Sequence, residues 1–234
     1  MNGDRLSEQV EYYRARAPEY DDWWLRRGRY DAGPEHTAQW KAEIAELRGA
    51  VEANGVGGWV LELAGGTGSW TTMLARRAAE LTVVDAAPEA LARNRRKLAA
   101  LPRACPVRFV EADLFSWAPD QRYDLVFFAF WLSHVPESHF GAFWDLVASA
   151  LVPGGRFFLL DGRYDPAVAG LAGSARPDGE TSVRELADGR RYRIVKVFRE
   201  PDDLALRLGE LGWSVTTGVT GPSFLYAHGS RALG

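Results

Sequence analysis

The stretch LELAGGTG, residues 61–68, decides the fold of this 234-residue chain. An apolar run stops there at a glycine-rich turn, which lets the backbone pass close to a ligand where a side chain would collide. The next apolar run, LTVVD, ends in Asp85. An acidic residue about twenty positions after such a turn can bind ribose hydroxyls. The pattern therefore predicts a site for a nucleoside cofactor.

The composition of the chain excludes several classes of protein. With 47% hydrophobic residues, 234 residues suffice for one sizeable core and are few for two. The net charge of -3 and the lack of a long Lys/Arg run predict no nucleic-acid partner. The longest apolar run, residues 125–132, is far too short to span a membrane, so we expect no membrane partner and a cytoplasmic location. Cys105 is the single cysteine and has no metal-type spacing around it, so we expect no metal.

Short apolar runs alternate with helical segments through the middle of the chain. The runs are hydrophobic throughout, which is typical of parallel strands covered on both faces. They cover residues 59–63, 81–84, 107–110, 125–130 and 156–160, and the predicted helices cover residues 70–80, 88–100 and 138–151. Strand and helix alternation of this kind predicts a doubly wound α/β fold with a mostly parallel sheet, seven-stranded once two closing strands are added.

The outer parts of the chain are predicted to complete a single domain. Helices over 6–17 and 34–53 make residues 1–57 an N-terminal helical cap, and residues 58–161 form the cofactor-binding core. Residues 162–179 are rich in glycine, proline and alanine, which indicates a loop or lid. Asp188-Gly189 lies between two strand-like runs and predicts a C-terminal hairpin insertion. A helix over 201–211 and an antiparallel pair, 213–217 with 224–227, complete the segment 162–234.

Three carboxylates follow successive predicted strands. Glu62 lies beside the glycine turn, Asp85 follows the second strand and Asp113 follows the third. These positions suit the ammonium, the ribose and the adenine of a cofactor that has no phosphate. Thr71 occupies the third glycine position of the dinucleotide fingerprint, so an NAD-dependent oxidoreductase is disfavoured.

With these motifs the chain resembles the class I S-adenosylmethionine-dependent methyltransferases over nearly its whole length. The family signature E/D-x-G-x-G-x-G matches at Glu62, Gly66 and Gly68, with Ala64 in place of the first glycine. VVDAAPEA (83–90), EADLF (111–115), YDLVFFAF (123–130) and LVPGGRFFLLD (151–161) also match. The resemblance implies a Rossmann-like fold, S-adenosyl-L-methionine as cofactor, S-adenosyl-L-homocysteine as product, and a small-molecule acceptor.

The resemblance also implies roles for individual residues. Asp85 would hold the ribose, Asp113 would lie near adenine, the backbone at Phe130 would contact the methionine part, and Tyr20 would cover the cofactor from the N-terminal segment. The complete predicted cofactor set is Tyr20, Glu62, Ala64, Gly66, Gly68, Asp85, Ala86, Asp113, Leu114, Phe115 and Phe130.

Basic residues after the core suggest that the acceptor is an anion. Lys196 lies within the apolar run 192–198, where a buried lysine is costly unless an anion meets it. Arg184 lies on the partner strand, and His134 follows the fourth strand. Simpler interpretations stay open: Lys196 as an edge or snorkelling residue, and His134 as a helix cap. A two-residue turn would point Arg184 away from Lys196, whereas a three-residue turn with a bulge would bring them together.

A narrower resemblance concerns the acceptor itself. SEQVEYYRARAPEYD, VFFAFWLSHVPESHFGAFW, GRRYRIVKVFREPDDLALRLGELGWS and FLYA are similar to segments of the phosphonate O-methyltransferase of dehydrophos biosynthesis and its relatives in natural-product pathways. This resemblance implies a phosphonate pocket lined by Tyr30, His134, Arg184 and Lys196. His134 and Lys196 are the predicted catalytic residues, and Trp131 is a further predicted substrate contact.

Two other functions remain open from the sequence. In the first, His134 is a general base for a hydroxyl, phenol, carboxylate or amine acceptor, and Trp23, Trp24 and Trp131 stack on a flat acceptor. In the second, the chain is a non-catalytic nucleoside-binding protein. The sequence is compatible with a monomer or a homodimer.

Overall fold

The structure, a computed structural model, describes residues 2–164 and 178–232. Its centre is a seven-stranded sheet in the order β3-β2-β1-β4-β5-β9-β8, in which β9 alone runs in the direction opposite to the other six strands. The strands are β1 Trp59–Leu63, β2 Glu80–Asp85, β3 Val107–Glu111, β4 Tyr123–Ala129, β5 Leu151–Gly162, β8 Trp213–Thr220 and β9 Phe224–Arg231, and β6 Thr181–Glu185 with β7 Arg191–Val195 form a separate hairpin. The predicted doubly wound fold and the antiparallel closing pair are confirmed.

Helices cover both faces of the sheet. They are α1 Asn2–Arg16, α2 Tyr20–Trp24, α3 Pro34–Ala53, α4 Thr71–Leu74, α5 Pro88–Ala99, α6 Phe140–Ala150 and α7 Pro201–Glu210. Strand β4 shows why both faces are needed: Val126 and Phe128 pack into one apolar cluster, and Leu125 and Phe127 into the other. Because consecutive side chains point to opposite faces, a strand that is apolar throughout requires two covering layers.

Three local predictions differ from the structure. The helix expected over 70–80 is limited to Thr71–Leu74, because Cys105 N–H donates to Ala75 O at 2.8 Å and Ala79 N–H to Gly58 O at 2.8 Å, drawing the chain into the sheet. The helix expected over 138–151 begins at Phe140 after a 3₁₀ turn, and β5 already begins at Leu151. Residues 19–33, which mix aromatic residues, charges and glycine without clear periodicity and for which the sequence predicts no element, contain α2 and a 3₁₀ turn at Gly28–Tyr30.

The hairpin settles the open question about its turn. Leu186 N–H donates to Arg190 O at 2.9 Å, which leaves a three-residue loop with Gly189 at a φ of +85°. Arg184 therefore pairs with Tyr192, and Lys196 N–H donates to Glu180 O, so Arg184 and Lys196 share one face. The prediction that Lys196 lies inside the strand is wrong, since β7 ends one residue before it.

The structure describes only the two ends of the predicted lid. Of the predicted lid over 162–179, residues 165–177 lie outside the described residues, and the division into cap, core and lid stays a prediction. Within residues 2–164 and 178–232, no helix has the length and apolar character required to cross a membrane.

Two neighbouring glycines of the turn after β1 should respond differently to alanine. A Cβ on Gly65 would lie 2.3 Å from Val83 Cγ1, a fully buried atom of β2, whereas at Gly66 it would meet nothing closer than 3.9 Å. Gly66 instead has a φ of +52°, which costs an alanine about 1 kcal/mol. We expect Gly65→Ala to lower the free energy of unfolding by about 2–3 kcal/mol and Gly66→Ala by about 1 kcal/mol, measured by urea denaturation. Equal losses would contradict the close packing of Gly65 on β2.

Candidate active site

A first cavity, called the cofactor cavity below, opens at the carboxyl ends of the central strands. Nine of the predicted cofactor residues line it: Tyr20, Ala64, Gly66, Asp85, Ala86, Asp113, Leu114, Phe115 and Phe130. Predicted Glu62 and Gly68 do not. Gln9, Tyr13 and Thr67 also line it and were missed, because single polar residues in a helix or loop carry no motif of their own.

Asp85 is held in place by the backbone around it. Its two carboxylate oxygens accept hydrogen bonds from Gly66 N–H and Ala87 N–H, each at 2.8 Å. Burial raises the pKa of Asp85, and these two hydrogen bonds oppose that rise. Each oxygen keeps a lone pair, so the carboxylate can still accept from a pair of hydroxyl groups such as those of a ribose.

Glu62 and Gly68 hold the glycine turn in position but do not line the cofactor cavity. Glu62 accepts a hydrogen bond from Thr71 Oγ1 at 2.6 Å, and Asn94 of α5 donates to the same hydroxyl at 2.7 Å. Burial raises the pKa of Glu62 to about 8. A Cβ on Gly68 would lie 2.5 Å from Asn94 Oδ1, so this glycine lets the turn approach α5. In this structure both residues hold the loop in position behind the cavity wall.

The opposite wall of the cofactor cavity is apolar. Asp113 accepts a hydrogen bond from Phe115 N–H at 3.0 Å, which fixes the turn after β3. The rings of Phe115 and Trp131 lie 5.5 Å apart. Trp131 was predicted as an acceptor contact, but it lines the cofactor cavity, because it packs against Phe115 and Phe143 before the chain turns. A carboxylate facing an apolar slot fits the ribose and base of an adenosyl cofactor.

A second cavity, called the acceptor cavity below, adjoins the first. Four residues line both cavities: Tyr13, Tyr20, Phe130 and His134. The predicted acceptor residues Tyr30, His134, Arg184 and Lys196 all line the acceptor cavity. Its further lining includes Tyr12, Arg16, Trp23, Arg26, His36 and Trp40. The structure thus brings together four of the five predicted acceptor residues and separates Trp131 from them.

His134 lies in the wall between the cavities and is 5% exposed. Its Nδ1 is 2.7 Å from Val195 O, a carbonyl that can only accept, so Nδ1 carries the proton and Nε2 accepts from Tyr13 Oη at 2.7 Å. Burial and then the charge of Lys196 hold the pKa of His134 well below its ordinary value. The imidazole is therefore neutral, and it does not cap a helix, since α6 begins only after His139.

Lys196 is buried beside an acid. Its side chain is 11% exposed, which excludes a snorkelling residue, and Nζ donates to Ser133 Oγ at 2.7 Å. Asp161 Oδ1 lies 3.7 Å from Nζ. Asp161 also accepts from Ser133 N–H and from Ser133 Oγ, each at 2.8 Å. Burial lowers the pKa of Lys196 to about 8, and Asp161 opposes that fall.

Two arginines in the acceptor cavity have no such acid. Among the described residues, neither Arg16 nor Arg184 forms an ion pair with a carboxylate. Arg184 Nη1 is buried without a hydrogen-bond partner, and desolvation lowers the pKa of this guanidinium. The guanidinium of Arg16 lies 5.1 Å from the Tyr20 ring and 5.5 Å from the Tyr12 ring. The cavity is thus cationic although the chain has a net charge of -3.

Sequence reasoning missed Tyr13 and Arg16 as site residues. A usable signal existed: Gln9, Tyr13 and Arg16 recur at spacings of four and three, which places them on one face of α1. No group of three or more His, Cys, Asp or Glu side chains in the described part of the chain could hold a metal ion.

The chain matches a protein-family model and is similar to solved structures. The family model described as "Methyltransferase domain" matches residues 60–155. Among solved structures, the chain is similar to a DhpI–SAH complex, with 39% identity, a TM-score of 0.75 and coverage of 97% of both chains. It is also similar to a DhpI–SAM–HEP complex, with 39% identity and a TM-score of 0.77, covering 97% of this chain and 98% of that one.

Curated relatives match the chain over a shorter range. The trans-aconitate 2-methyltransferase of Escherichia coli O1:K1 / APEC is 38% identical over 92 residues, which is 38% of this chain and 34% of that protein. The matches to the curated relatives span about a third to a half of their length.

A carboxylate of α2 should control cofactor affinity. Asp21 Oδ1 accepts from Thr67 Oγ1 of the glycine turn at 2.7 Å and from Lys97 Nζ of α5 at 2.6 Å. These bonds hold the segment that carries Tyr20 over the cofactor cavity. We expect Asp21→Asn to raise the Kd for S-adenosylhomocysteine about five- to ten-fold in calorimetry, since the ion pair is partly exposed. The control is Asp22→Asn at the exposed neighbouring position; equal Kd values for the two variants would contradict the anchoring role.

Proposed function

We propose that this chain, which belongs to the class I S-adenosylmethionine-dependent methyltransferases, methylates an oxyanion of a small molecule, and that this oxyanion is a phosphonate. The observation that carries the proposal is the group of buried cations beside the cofactor cavity. Arg184 and Arg16 have no carboxylate partner among the described residues, and Lys196 shares one face with Arg184. Buried cations are costly unless an anion meets them, so the cavity favours an anionic ligand.

The choice of a phosphonate rests on two further arguments. Arg184 presents a planar fork of donors, which suits the tetrahedral oxygens of a phosphonate, and Lys196 adds a second cation on the same face. The similar DhpI structure is described as a complex with SAM and HEP. Together with the resemblance of the acceptor segments to phosphonate O-methyltransferases, this supports a role in a natural-product pathway.

The chain's own residues would bind and orient the acceptor. S-adenosylmethionine, bound along Asp85 and Asp113, supplies a methyl group on a positively charged sulfur. Arg184 and Lys196 would neutralise the acceptor, and Tyr30 would orient one of its oxygens towards the shared wall of the two cavities, where His134 holds Tyr13 in place. His134 in this wall is buried, and a wall that is closed to water would help when an anion and a cation neutralise each other in the transition state.

The state of His134 favours an oxyanion over a hydroxyl acceptor. An oxyanion that is ionised at neutral pH needs no general base. His134 is neutral, but the lone pair on its Nε2 already accepts a hydrogen bond from the Tyr13 hydroxyl. A hydroxyl acceptor would have to displace Tyr13 before His134 could take its proton. Methyl transfer to an acceptor in an activity assay would exclude the non-catalytic alternative.

Removal of Lys196 should separate acceptor binding from cofactor binding. We expect Lys196→Ala to lower kcat/KM for a phosphonate acceptor about 100-fold, because a buried charge contact to the acceptor is lost, and to change the Kd for S-adenosylhomocysteine less than about three-fold. Lys196→Met preserves more of the packing and serves as the control for cavity collapse. Equal losses of acceptor turnover and cofactor affinity would remove Lys196 from the acceptor site.

The pH profile should reveal the charge of Lys196. Because its pKa is about 8, Lys196 is a cation below that pH and neutral above it, so kcat/KM for an anionic acceptor should fall as the pH rises through about 8. Lys196→Arg stays charged, and we expect it to shift that fall to higher pH. The ionisation of the acceptor is common to both enzymes and cancels in the ratio of their profiles. A ratio that does not change with pH would contradict a cationic role for Lys196.

A further inference from the structure

We infer that the acceptor carries a second anionic group, and that Arg26 and His36 bind it where α2 and α3 border the acceptor cavity. This inference rests on the proposed function and narrows its substrate class to phosphonates that bear another anion, a carboxylate in the simplest case. Both residues line the cavity. Neither is among the residues that the resemblance to phosphonate O-methyltransferases implies.

Arg26 is a third arginine of the cavity that forms no ion pair among the described residues. Its guanidinium carbon lies 3.3 Å from the centroid of the Trp40 ring and 5.6 Å from that of Trp23. Within the described chain its side chain makes no ion pair, and Nε is buried without a hydrogen-bond partner. Desolvation lowers the pKa of Arg26 to about 10. Stacking on tryptophan therefore holds the fork in place while its donors face the cavity.

The acid that acts on Arg26 is already engaged elsewhere. Glu43 of α3 opposes the desolvation of Arg26, but it forms no ion pair with it. The Glu43 oxygens accept from Ser223 N–H at 3.0 Å, Ser223 Oγ at 3.1 Å and Gln39 Nε2 at 3.2 Å. A carboxylate with these partners tethers α3 to the turn before β9. The donors of Arg26 are left for a ligand.

His36 offers a second donor on the same border. It lies one helical turn before Trp40 on α3, so it shares the face on which Arg26 stacks. His36 Nδ1 is buried and has no hydrogen-bond partner in the described part of the chain. An arginine fork and an imidazole beside a tryptophan ring suit a planar carboxylate.

The backbone also holds Arg26 in an uncommon conformation. Its φ is +53°, a left-handed value that costs a non-glycine residue about 1–2 kcal/mol. The other non-glycine residues with positive φ in the described chain are Ala64 and Phe130, and both line the cofactor cavity. Such strain persists where the surroundings enforce it and is frequent at binding sites.

Two sets of basic residues line the acceptor cavity: Lys196, Arg184 and Arg16 form one, and Arg26 with His36 forms the other. Arg16 and Arg26 both lie against Trp23, at 5.5 Å and 5.6 Å from the ring centroid, and the charge of Arg16 lowers the pKa of Arg26. The charge of Arg16 also lowers the pKa values of Lys196 and Arg184. The phosphonate is assigned to Lys196 and Arg184, and the second anionic group to Arg26, in the cavity that Trp23 also lines.

Calorimetry with two probes tests the second site. In the presence of S-adenosylhomocysteine, we expect the wild-type protein to bind 3-phosphonopropionate at least ten-fold more tightly than ethylphosphonate, which lacks the carboxylate. Arg26→Gln should abolish this difference and leave the Kd for ethylphosphonate within about two-fold. Arg27→Gln, at the exposed neighbour that does not line the cavity, should preserve the difference.

The outcomes separate the two proposals. Equal wild-type affinities for the two probes, no binding of either probe, or an equal loss of both in Arg26→Gln would overturn the second site. If Arg26→Gln does not fold, the wild-type comparison and Arg26→Lys, which keeps the charge and should retain part of the preference, still test it. Methyl transfer is measured separately: binding preference without methylated product would overturn the proposed function and leave the second anionic site standing.

Discussion

The arrangement of the site depends on one buried hydrogen-bonded junction around His134. Its imidazole joins Tyr13 of α1 to Val195 of β7, both at 2.7 Å. Gln9 closes the same junction, donating to His134 O at 3.2 Å and accepting from Val195 N–H at 3.0 Å. The loop after β4 adds a bond from Val197 N–H to Ser133 O at 2.8 Å. A buried polar group that loses its hydrogen-bond partner is strongly destabilising, so this junction fixes α1 and the hairpin against the loop after β4 in one geometry. Tyr13 and His134 line both cavities.

The buried cations of the acceptor cavity differ in whether the protein itself compensates their charge. Asp161 compensates Lys196 within the protein, through Ser133, so a lysine at this position alone does not require a ligand. Arg16 and Arg184 differ, since aromatic rings and hydroxyls surround them and no carboxylate pairs with them in the described chain. The interaction of guanidinium groups with aromatic rings contributes about 1–2 kcal/mol and offsets only part of their desolvation. An anionic acceptor of the kind proposed would recover the remaining desolvation cost.

The sheet and most of the cofactor wall could be predicted because local rules determine them. Continuous hydrophobicity gives the buried strands, and strand ends give Asp85 and Asp113. The acceptor wall depends on tertiary packing. The direction of Arg184 followed from a three-residue turn that the sequence Asp188-Gly189 leaves open. The position of Trp131 followed from contact with Phe115, more than ten residues away. The spacing of Gln9, Tyr13 and Arg16 places them on one face of α1 but does not reveal that this face packs on the hairpin, and so Tyr13 and Arg16 were missed although their helix was predicted.

The division into two cavities follows from the backbone at a single residue. Strand β4 ends at Ala129, and Phe130 adopts a φ of +56° while its N–H donates to Leu160 O at 2.8 Å. A bulky side chain rarely adopts this conformation, so the neighbouring strand must enforce it. The sharp turn sends Trp131 to the cofactor side and leads through a 3₁₀ turn to His134, while the Phe130 ring stays in the wall that both cavities share. A regular extension of β4 would place alternate residues on opposite faces of the sheet and would leave neither side chain at this wall. Local strain at the strand end is thus the means by which the fold brings cofactor and acceptor together.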